Sequence, residues 1–533
     1  MPTLNWIGKE KVVNHHRDVP FRILEHQYGF TAEKGESKAS TDSGNMIIHG
    51  DNLEALKALL PQYEDKIKCI YIDPPYNTGN ESWVYNDNVN DPRIKKWLGD
   101  VVGKEGDDLS RHDKWLCMMY PRLKLLHKLL SKDGVIFISI DDNAITFLLP
   151  VLFEIFGPSN FVTNVIWEKA DSPRNSARQF SSDHDYILVF SKNTNWIPNK
   201  LPRDEKSNSI YTNPDNDPRG AWIPGDPYAN KPYSKGEYEI IGPTGRKFSP
   251  PKGRFWRVSE NKLKELDQEG RIWWGPNQSA RPSIKRFLNE VSDLVPRTLW
   301  KKGEVGSNRT SKNQIRELFA ETASFDTPKP SLLIERILRI SCDKNSIILD
   351  SFAGSGTTAH AVLNLNKQDG GNRKFILIEM EDYANNITAE RVKRVSKGYG
   401  EDKKAVEGTG GEFDYYELGI PLFIGENKEY LNEEVGLEKI RDYIWYSETR
   451  SALGENGKDE KESAYYLGLR DQTAYYFVYE SVESTTLDYD LLATIKTKAE
   501  QYVIYADNCL LSKAYMNQHS IIFKKIPRDI TRF

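Results

Sequence analysis

The chain has 533 residues, 38% of them hydrophobic and 11% aromatic, which is enough for two or three packed domains. It contains no apolar run long enough to cross a membrane, and its first residues lack the apolar core of a secretory signal. The four cysteines lie far apart without metal-binding spacing, so we predict a soluble cytoplasmic protein with reduced thiols and no metal site.

Charge is unevenly distributed along the chain. The formal net charge is -4, yet residues 171–316 carry 26 Lys and Arg against 17 Asp and Glu, and residues 401–533 carry 16 against 25. A basic middle and an acidic end indicate separate roles, although surface charge also drifts along any long chain.

Strands and helices alternate from residue 46 to about residue 191. Apolar runs predict strands at 46–50, 68–73, 134–140 and 161–167, and leucine-rich periodic segments predict helices at 52–60, 114–130 and 144–156. Pro121 should kink or divide the second of these helices. Such alternation is typical of a mostly parallel sheet with helices on its faces.

The alternation stops in residues 193–316, which are rich in Pro, Gly, Asn, Trp and basic residues. We interpret this segment as an inserted domain. Alternation then resumes, with predicted helices at 329–340, 357–366 and 384–395 and predicted strands at 346–350 and 374–380. Beyond residue 400 the sequence predicts a linker and a small α/β region.

A glycine-rich turn, LDSFAGSGTTAHAV (349–362), follows a predicted strand and opens a helix. This is where doubly wound sheets bind nucleotide-type cofactors, because Gly354 and Gly356 let the backbone approach a ligand beside Asp350. Ala359 stands where the dinucleotide fingerprint has its third glycine, and a purely structural turn is the alternative. Glu379 ends the next strand, where an acid can accept both ribose hydroxyls, unless it is only a solvated acid.

The strand at 68–73 runs into Asp73-Pro74-Pro75-Tyr76 (DPPY), which neither a strand nor a helix can continue. The prolines fix the backbone and leave their carbonyls as rigid acceptors, Asp73 adds a carboxylate, and Tyr76 offers a flat face. Acceptors beside a ring suit a planar substrate with an exocyclic amine, such as a flipped adenine or cytosine. An ordinary loop is the alternative reading.

Together these motifs resemble the amino-methylating DNA methyltransferases that use S-adenosyl-L-methionine, with DPPY as catalytic motif and residues 352–356 as cofactor loop. Their order resembles the circularly permuted β group. GDNLEALKALL, HDKWLCMMYPRLKLLHKLLSKDGVIFISIDDN and KPSLLIERIL most resemble modification (Mod) subunits of type III restriction–modification systems. The resemblance implies a doubly wound, Rossmann-like α/β sheet in five parts: an N-terminal extension (1–45), a catalytic half (46–195), a target-recognition domain (196–316), a cofactor-binding half (317–400) and a small C-terminal α/β domain (401–533).

The resemblance also assigns roles to individual residues. Asp73, Pro74, Pro75 and Tyr76 would form the catalytic motif, with Asp73 and the Pro74 carbonyl bound to the target amine and Tyr76 stacked on the extruded base. The implied cofactor site comprises Asp51, Lys329, Asp350, Phe352, Gly354, Gly356 and Glu379. Within it Glu379 would bind the ribose, and Lys329 would lie near the methionine end. Asp51 would lie near the adenine, although it could equally cap a helix.

Basic residues of the insert are candidates for DNA contact. They are interleaved with aromatic residues, among them Trp256 and Trp274, and the candidates are Arg254, Arg257, Arg281, Lys285 and Arg286. Each one taken alone is more commonly a solvated surface charge.

We therefore predict a site-specific DNA methyltransferase that methylates the N6 amine of adenine in duplex DNA by base flipping, within a restriction–modification or phage-defence system. Asp73 favours adenine, since relatives that act on cytosine tend to have Ser there. The alternatives are an N4-cytosine, RNA or protein methyltransferase, an NAD-linked oxidoreductase, and a non-catalytic DNA-binding scaffold. The resemblance further implies a homodimer, a Res-type nuclease or translocase partner, and no membrane association.

Overall fold

The computed structural model describes residues 3–76, 111–173, 177–232, 234–319, 325, 327–402, 405–425, 430–453 and 463–530. The chain forms two compact units, Met1–Pro198 with Arg297–Phe533, and Asn199–Pro296. Within the described ranges, no helix is both long and apolar enough to span a bilayer. Parts of the predicted C-terminal domain (403–404, 426–429, 454–462 and 531–533) lie outside the described residues.

The first part of the larger unit contains the predicted alternation. Its elements are α1 (Lys9–Val12), α2 (His15–Asp18), β1 (Arg22–Thr31), β2 (Gly35–Ser37), β3 (Met46–His49), α3 (Asn52–Tyr63), β4 (Ile67–Ile72), α4 (Arg111–Leu129), β5 (Leu130–Ile140), α5 (Ile145–Phe156), β6 (Phe161–Glu168) and β7 (His184–Ser191). Pro121 lies inside α4 and does not divide it, because buried apolar residues on both sides hold the helix against the core.

The smaller unit is built from short elements. These are α6 (Glu205–Asn208), β8 (Trp222–Gly225), β9 (Tyr228–Ala229), β10 (Ile240–Ile241), β11 (Lys247–Phe248), β12 (Phe255–Trp256), α7 (Glu260–Gln268), β13 (Ile272–Trp273) and β14 (Ser283–Phe287). Its core is aromatic and aliphatic, formed by Tyr228, Ile240, Phe248, Trp256, Leu263, Ile272 and Trp274. Trp256 and Trp274, which the sequence interleaves with the basic DNA-contact candidates, therefore lie inside this unit.

The second part of the larger unit resumes the alternation. It contains β15 (Leu299–Trp300), α8 (Lys302–Val305), α9 (Asn308–Phe319), α10 (Ser331–Ser341), β16 (Ile347–Asp350), α11 (Thr357–Asp369), β17 (Lys374–Glu379), α12 (Glu390–Lys397), β18 (Gly398–Tyr399), β19 (Val406–Glu407) and β20 (Glu412–Pro421).

The C-terminal elements form a small sheet with helices. They are β21 (Phe423–Ile424), β22 (Tyr430–Leu431), α13 (Leu437–Thr449), β23 (Tyr466–Arg470), β24 (Thr473–Phe477), β25 (Thr486–Leu487), α14 (Tyr489–Thr494), β26 (Gln501–Ala506), β27 (Asn508–Cys509), α15 (Lys513–Gln518) and β28 (Ile521–Lys525). The strand order of this small sheet is β23-β24-β26-β28. Helix α13 packs against α3, the helix that follows β3 of the main sheet.

The main sheet has the order β15-β6-β7-β5-β4-β16-β17-β3-β20-β1-β2. Its central strands, from β5 through β4, β16, β17 and β3 to β20, pair in parallel, and β7 and β1 run antiparallel to their neighbours. Helices α3, α4 and α5 pack with alternate residues of the strands in one core, and α10 contacts β4 and β5. The predicted doubly wound α/β sheet is therefore confirmed.

Two strands join this sheet from segments predicted to lie outside the methyltransferase halves. β1 comes from residues 1–45 and pairs antiparallel with β20, from residues 401–533, which itself pairs in parallel with β3. The rings of Phe30 and Phe413 lie 5.3 Å apart in this pair and both side chains are buried. The pair thus extends the sheet beyond β3.

Candidate active site

The DPPY segment lies at the carboxyl end of β4, in the middle of the sheet. β4 lies between β5 and β16; in the chain β4 leads to β5, whereas β16 leads to β17 on the other side. This is the switch point at which doubly wound sheets bind ligands. The indole N–H of Trp115, a buried residue of α4, donates to the Pro75 carbonyl at 2.7 Å. The segment is therefore held by α4 as well as by β4.

Asp73 is buried between two residues of the site. Lys329 Nζ lies 2.5 Å from Asp73 Oδ2 and 5.0 Å from the centre of the Tyr76 ring. Asp73 Oδ1 and the Tyr76 hydroxyl are buried without a hydrogen-bond partner. Asp73 Oδ1 is thus available to a ligand, whereas the Lys329 ammonium lies over the Tyr76 ring.

Burial and neighbouring charges set the ionisation of Asp73. Burial raises the pKa of Asp73 above its usual value, Lys329 opposes the rise, and the charge of Asp185 adds to it. Asp185 begins the buried face of β7, and its Oδ1 lies 2.6 Å from Lys169 Nζ. Neither Asp185 nor Lys169 belongs to a motif that the sequence reveals, since the antiparallel pairing of β7 with β5 and β6 brings them to this edge.

The glycine-rich turn joins β16 to α11 beside the DPPY segment. Gly354 and Gly356 have φ angles of 53° and 81°, and a Cβ at Gly356 would lie 2.9 Å from the Thr388 carbonyl oxygen. Glycine adopts such angles without the strain that a side chain causes. The Gly354 N–H donates to Glu379 Oε2 at 2.8 Å. Glu379, at the end of β17, therefore fixes the turn.

Asp350 ends β16 at the start of this turn. Its carboxylate accepts from the N–H of Phe352 at 3.0 Å and from the hydroxyl of Thr358 at 2.5 Å. Burial raises the pKa of Asp350 to about 7, and the charge of Asp73 adds to the rise. A cation beside Asp350 would favour its charged form, so the position suits a positively charged ligand.

Asp51 caps α3. Its Oδ1 accepts from the N–H groups of Leu53 at 2.8 Å and Glu54 at 3.2 Å, and its Oδ2 lies 3.2 Å from Arg122 Nη2. The helix N-cap, one of the two predicted roles, is thus present. The contact of Asp51 with a cofactor stays a prediction.

A buried arginine that the sequence does not distinguish stabilises the glycine-rich turn through hydrogen bonds. Arg391, in α12, donates to the hydroxyls of Ser355 at 2.8 Å and Thr357 at 2.7 Å. It also donates to His360 Nδ1 and to the side-chain oxygen of Gln314. Burial lowers the pKa of Arg391 to about 9. In the sequence ERVKRV this arginine looks like any polar residue of an amphipathic helix.

Three of the predicted DNA-contact residues surround Tyr228 in the smaller unit. Arg254 and Arg257 donate to its carbonyl at 3.3 and 3.1 Å, and Arg281 lies 3.4 Å from its hydroxyl. Arg257, Arg281 and Arg286 are exposed. Their contact with DNA stays a prediction.

Lys285 does not fit the predicted role. It is buried, lies 2.7 Å from Asp217 Oδ2 and also pairs with Asp215. Alternation along β14 turns this lysine into the unit, whereas Arg286 faces solvent. Lys285 therefore stabilises the fold of the smaller unit.

A family model described as "DNA methylase" matches residues 67–390, more than half of the chain. The match contains both DPPY and the glycine-rich turn. The chain belongs to the DNA methylase family.

Mod subunits of type III restriction-modification enzymes and a type II methyltransferase are similar to most of this chain. The Mod subunit of the type III restriction-modification enzyme StyLTI from Salmonella typhimurium is 34% identical over 78% of this chain and 66% of its own length. The EcoP15I Mod subunit from Escherichia coli is 30% identical over 71% of this chain and 64% of its own length. The type II methyltransferase M.KpnI from Klebsiella pneumoniae is 31% identical over 67% of this chain and 85% of its own length. The matched region thus spans just under two thirds of each of these Mod subunits. The predicted resemblance to Mod subunits is confirmed as sequence similarity.

Proposed function

We propose that the protein is a site-specific DNA methyltransferase that transfers a methyl group from S-adenosyl-L-methionine to the N6 amine of adenine in duplex DNA. The observation that carries the proposal is the buried, unpartnered Asp73 Oδ1 beside the Tyr76 ring, at the switch point of the sheet. Membership of the DNA methylase family supports it.

The residues around the glycine-rich turn fit S-adenosyl-L-methionine. The cofactor carries positive charge, and Asp350 is a buried carboxyl whose charged form a cation would favour. Each Glu379 oxygen can accept more than one hydrogen bond, so Glu379 could bind ribose hydroxyls while still holding the Gly354 N–H. Phe352 would pack along the apolar part of the cofactor. When bound, the cofactor would supply an electrophilic methyl group.

The site's own residues would act on the target base. An exocyclic amine is a weak nucleophile because its lone pair is delocalised into the ring. Asp73 and the Pro74 carbonyl would accept its two N–H groups and stabilise the positive charge that develops on its nitrogen, as preorganised acceptors do. The Tyr76 ring would stack on the extruded base and offset part of the few kcal/mol that extrusion costs.

The choice of adenine rests on Asp73, which the resemblance links to adenine. Arginines on the smaller unit would contact DNA, and the similarity to Mod subunits supports a role in restriction–modification. Assembly as a homodimer and with a Res-type subunit belongs to the same proposal.

Methyl transfer to defined acceptors tests this function. The protein would be incubated with methyl-labelled S-adenosyl-L-methionine and, separately, unmethylated bacterial DNA, total RNA or a protein mixture. Label should enter DNA only, and Asp73→Ala should abolish the transfer. Asp133→Ala, an exposed aspartate of β5 with 74% of its side chain accessible, is the matched control and should transfer normally. Label in RNA or protein but not in DNA would contradict the proposal.

A further inference from the structure

Lys329 makes the contacts that a target amine would need. Its ammonium is 2.5 Å from Asp73 Oδ2 and 5.0 Å from the Tyr76 ring centre, within the range of a cation–π interaction. Methyl transfer places positive charge on the amine nitrogen, so a bound base would present a cationic nitrogen to the same carboxylate and the same ring. The free protein already holds one such nitrogen there.

We propose that the Lys329 ammonium occupies the place of the target amine in the free enzyme and leaves Asp73 when the base enters. This assigns to Lys329 a positioning role on Asp73, in addition to any contact with the cofactor. The inference rests on the proposed function, since it takes a flipped base as the ligand of this pocket.

The backbone of Lys329 is fixed, whereas its side chain is a long flexible stem. The residue lies between two prolines, and the residue before a proline is restricted to extended conformations. Its carbonyl accepts from the Thr357 hydroxyl at 3.3 Å, which ties it to the first turn of α11. The four-carbon stem of lysine is flexible. A swing of the stem would free both Asp73 Oδ2 and the ring face without moving the main chain.

The same ammonium controls the charge of Asp73 before the base arrives. The charged and titratable groups that act at this point are Lys329, Tyr76, Tyr71 on β4, Asp350 on β16 and Asp185 on β7, the last paired with Lys169. Among them Lys329 is the cation in contact with Asp73, so it opposes the effect of burial. Without it Asp73 would bind a proton at higher pH and lose its ability to accept from an amine.

Steady-state kinetics of Lys329→Met across pH separates this role from others. The acid limb of kcat/KM reports groups of the free enzyme, and the acid limb of kcat reports the complex. In Lys329→Met we expect the acid limb of kcat/KM for DNA to move to higher pH, so that kcat/KM is about ten-fold below wild type at pH 7. The acid limb of kcat should stay in place, because in the complex with DNA Lys329 has already left Asp73. At high pH, kcat/KM should equal or exceed the wild-type value, since the competitor is gone.

Two variants control the measurement. Lys329→Arg keeps the charge and should keep the wild-type acid limb of kcat/KM. Lys344 is an exposed lysine in the turn after α10, and Lys344→Met should leave both acid limbs unchanged. If both limbs move in Lys329→Met, the ammonium stays on Asp73 throughout and the proposed exchange is wrong. If neither moves and only the KM for S-adenosyl-L-methionine rises, Lys329 serves the cofactor alone.

A thermal unfolding cycle decides the pairing independently of activity. The cycle compares the melting temperatures of wild type, Asp73→Asn, Lys329→Met and the double variant at pH 7. The decrease in melting temperature of the double variant should be smaller than the sum of the decreases of the two single variants. Additive losses would show that the pair is not formed in solution and would overturn the inference. A wild-type protein that methylates no DNA would contradict the proposed function, and the cycle would still report whether Lys329 holds Asp73.

Discussion

Gly356→Ala should damage the turn between β16 and α11 in two ways that add. Gly356 has φ 81° and ψ 27°, a left-handed conformation that costs about 1–2 kcal/mol for a residue with a side chain. Its new Cβ would also lie 2.9 Å from the Thr388 carbonyl oxygen, so the turn has to shift, and such overpacking costs about 1–3 kcal/mol. The expected destabilisation is therefore about 2–5 kcal/mol, accompanied by weaker cofactor binding because the shifted turn forms the site.

Gly370→Ala is the matched control at the other end of α11. Gly370 has φ 66°, and a Cβ there meets nothing within 4 Å, so only the left-handed strain of about 1–2 kcal/mol applies. Urea unfolding measures both stabilities, and calorimetric titration with S-adenosyl-L-methionine measures both affinities. The control should bind the cofactor as wild type does. Equal stabilities and equal affinities of the two variants would refute the reasoning about the turn.

Three further substitutions test the electrostatics and the packing. Asp350→Asn should be more stable than wild type above pH 7 by up to about 4 kcal/mol, and this difference should vanish near pH 4. The reason is that the raised pKa of Asp350 makes the stability of the wild type fall as the pH rises from about 4 to 7. Thermal melting across pH measures the difference, and a difference that does not depend on pH would contradict the prediction. Lys285→Met should cost about 1–3 kcal/mol in urea unfolding because buried Asp217 loses one of its two cationic partners and keeps only Arg219. Lys247→Met, which breaks an exposed pair, should have no measurable effect, and equal effects of the two variants would disprove the structural role of Lys285. Trp115→Phe should lose about 1–3 kcal/mol and lower the methylation rate because the Pro75 carbonyl loses its donor, and an unchanged rate would show that this bond does not hold the DPPY segment.

The alternation of apolar strands and amphipathic helices made the central sheet predictable. β4, β5, β16 and β17 lie close to their predicted positions because each is a short apolar run that ends at a turn signal. The edge strands were not predictable in this way. β1 and β20 are separated by several hundred residues and mix polar with apolar residues irregularly, so their pairing depends on contacts that local sequence does not encode.

Motif chemistry predicted which residues meet at the switch point, but not what they do to one another. Strand order brings Asp73 and Asp350 to neighbouring strand ends, as parallel packing requires. The pairing of Lys329 with Asp73 spans 256 positions and emerges only in three dimensions. Arg391 and Lys285 show the same limit, since nothing local distinguishes a buried cation with partners from a solvated one.

Identification of the modified base tests the central claim most directly. Unmethylated bacterial DNA would be treated with the protein and S-adenosyl-L-methionine, digested to nucleosides and analysed by mass spectrometry, with Asp73→Ala alongside. The proposed chemistry predicts N6-methyladenine from wild type and none from the variant. N4-methylcytosine would retain the site and contradict the choice of adenine, and the absence of any methylated base would contradict the proposed function itself.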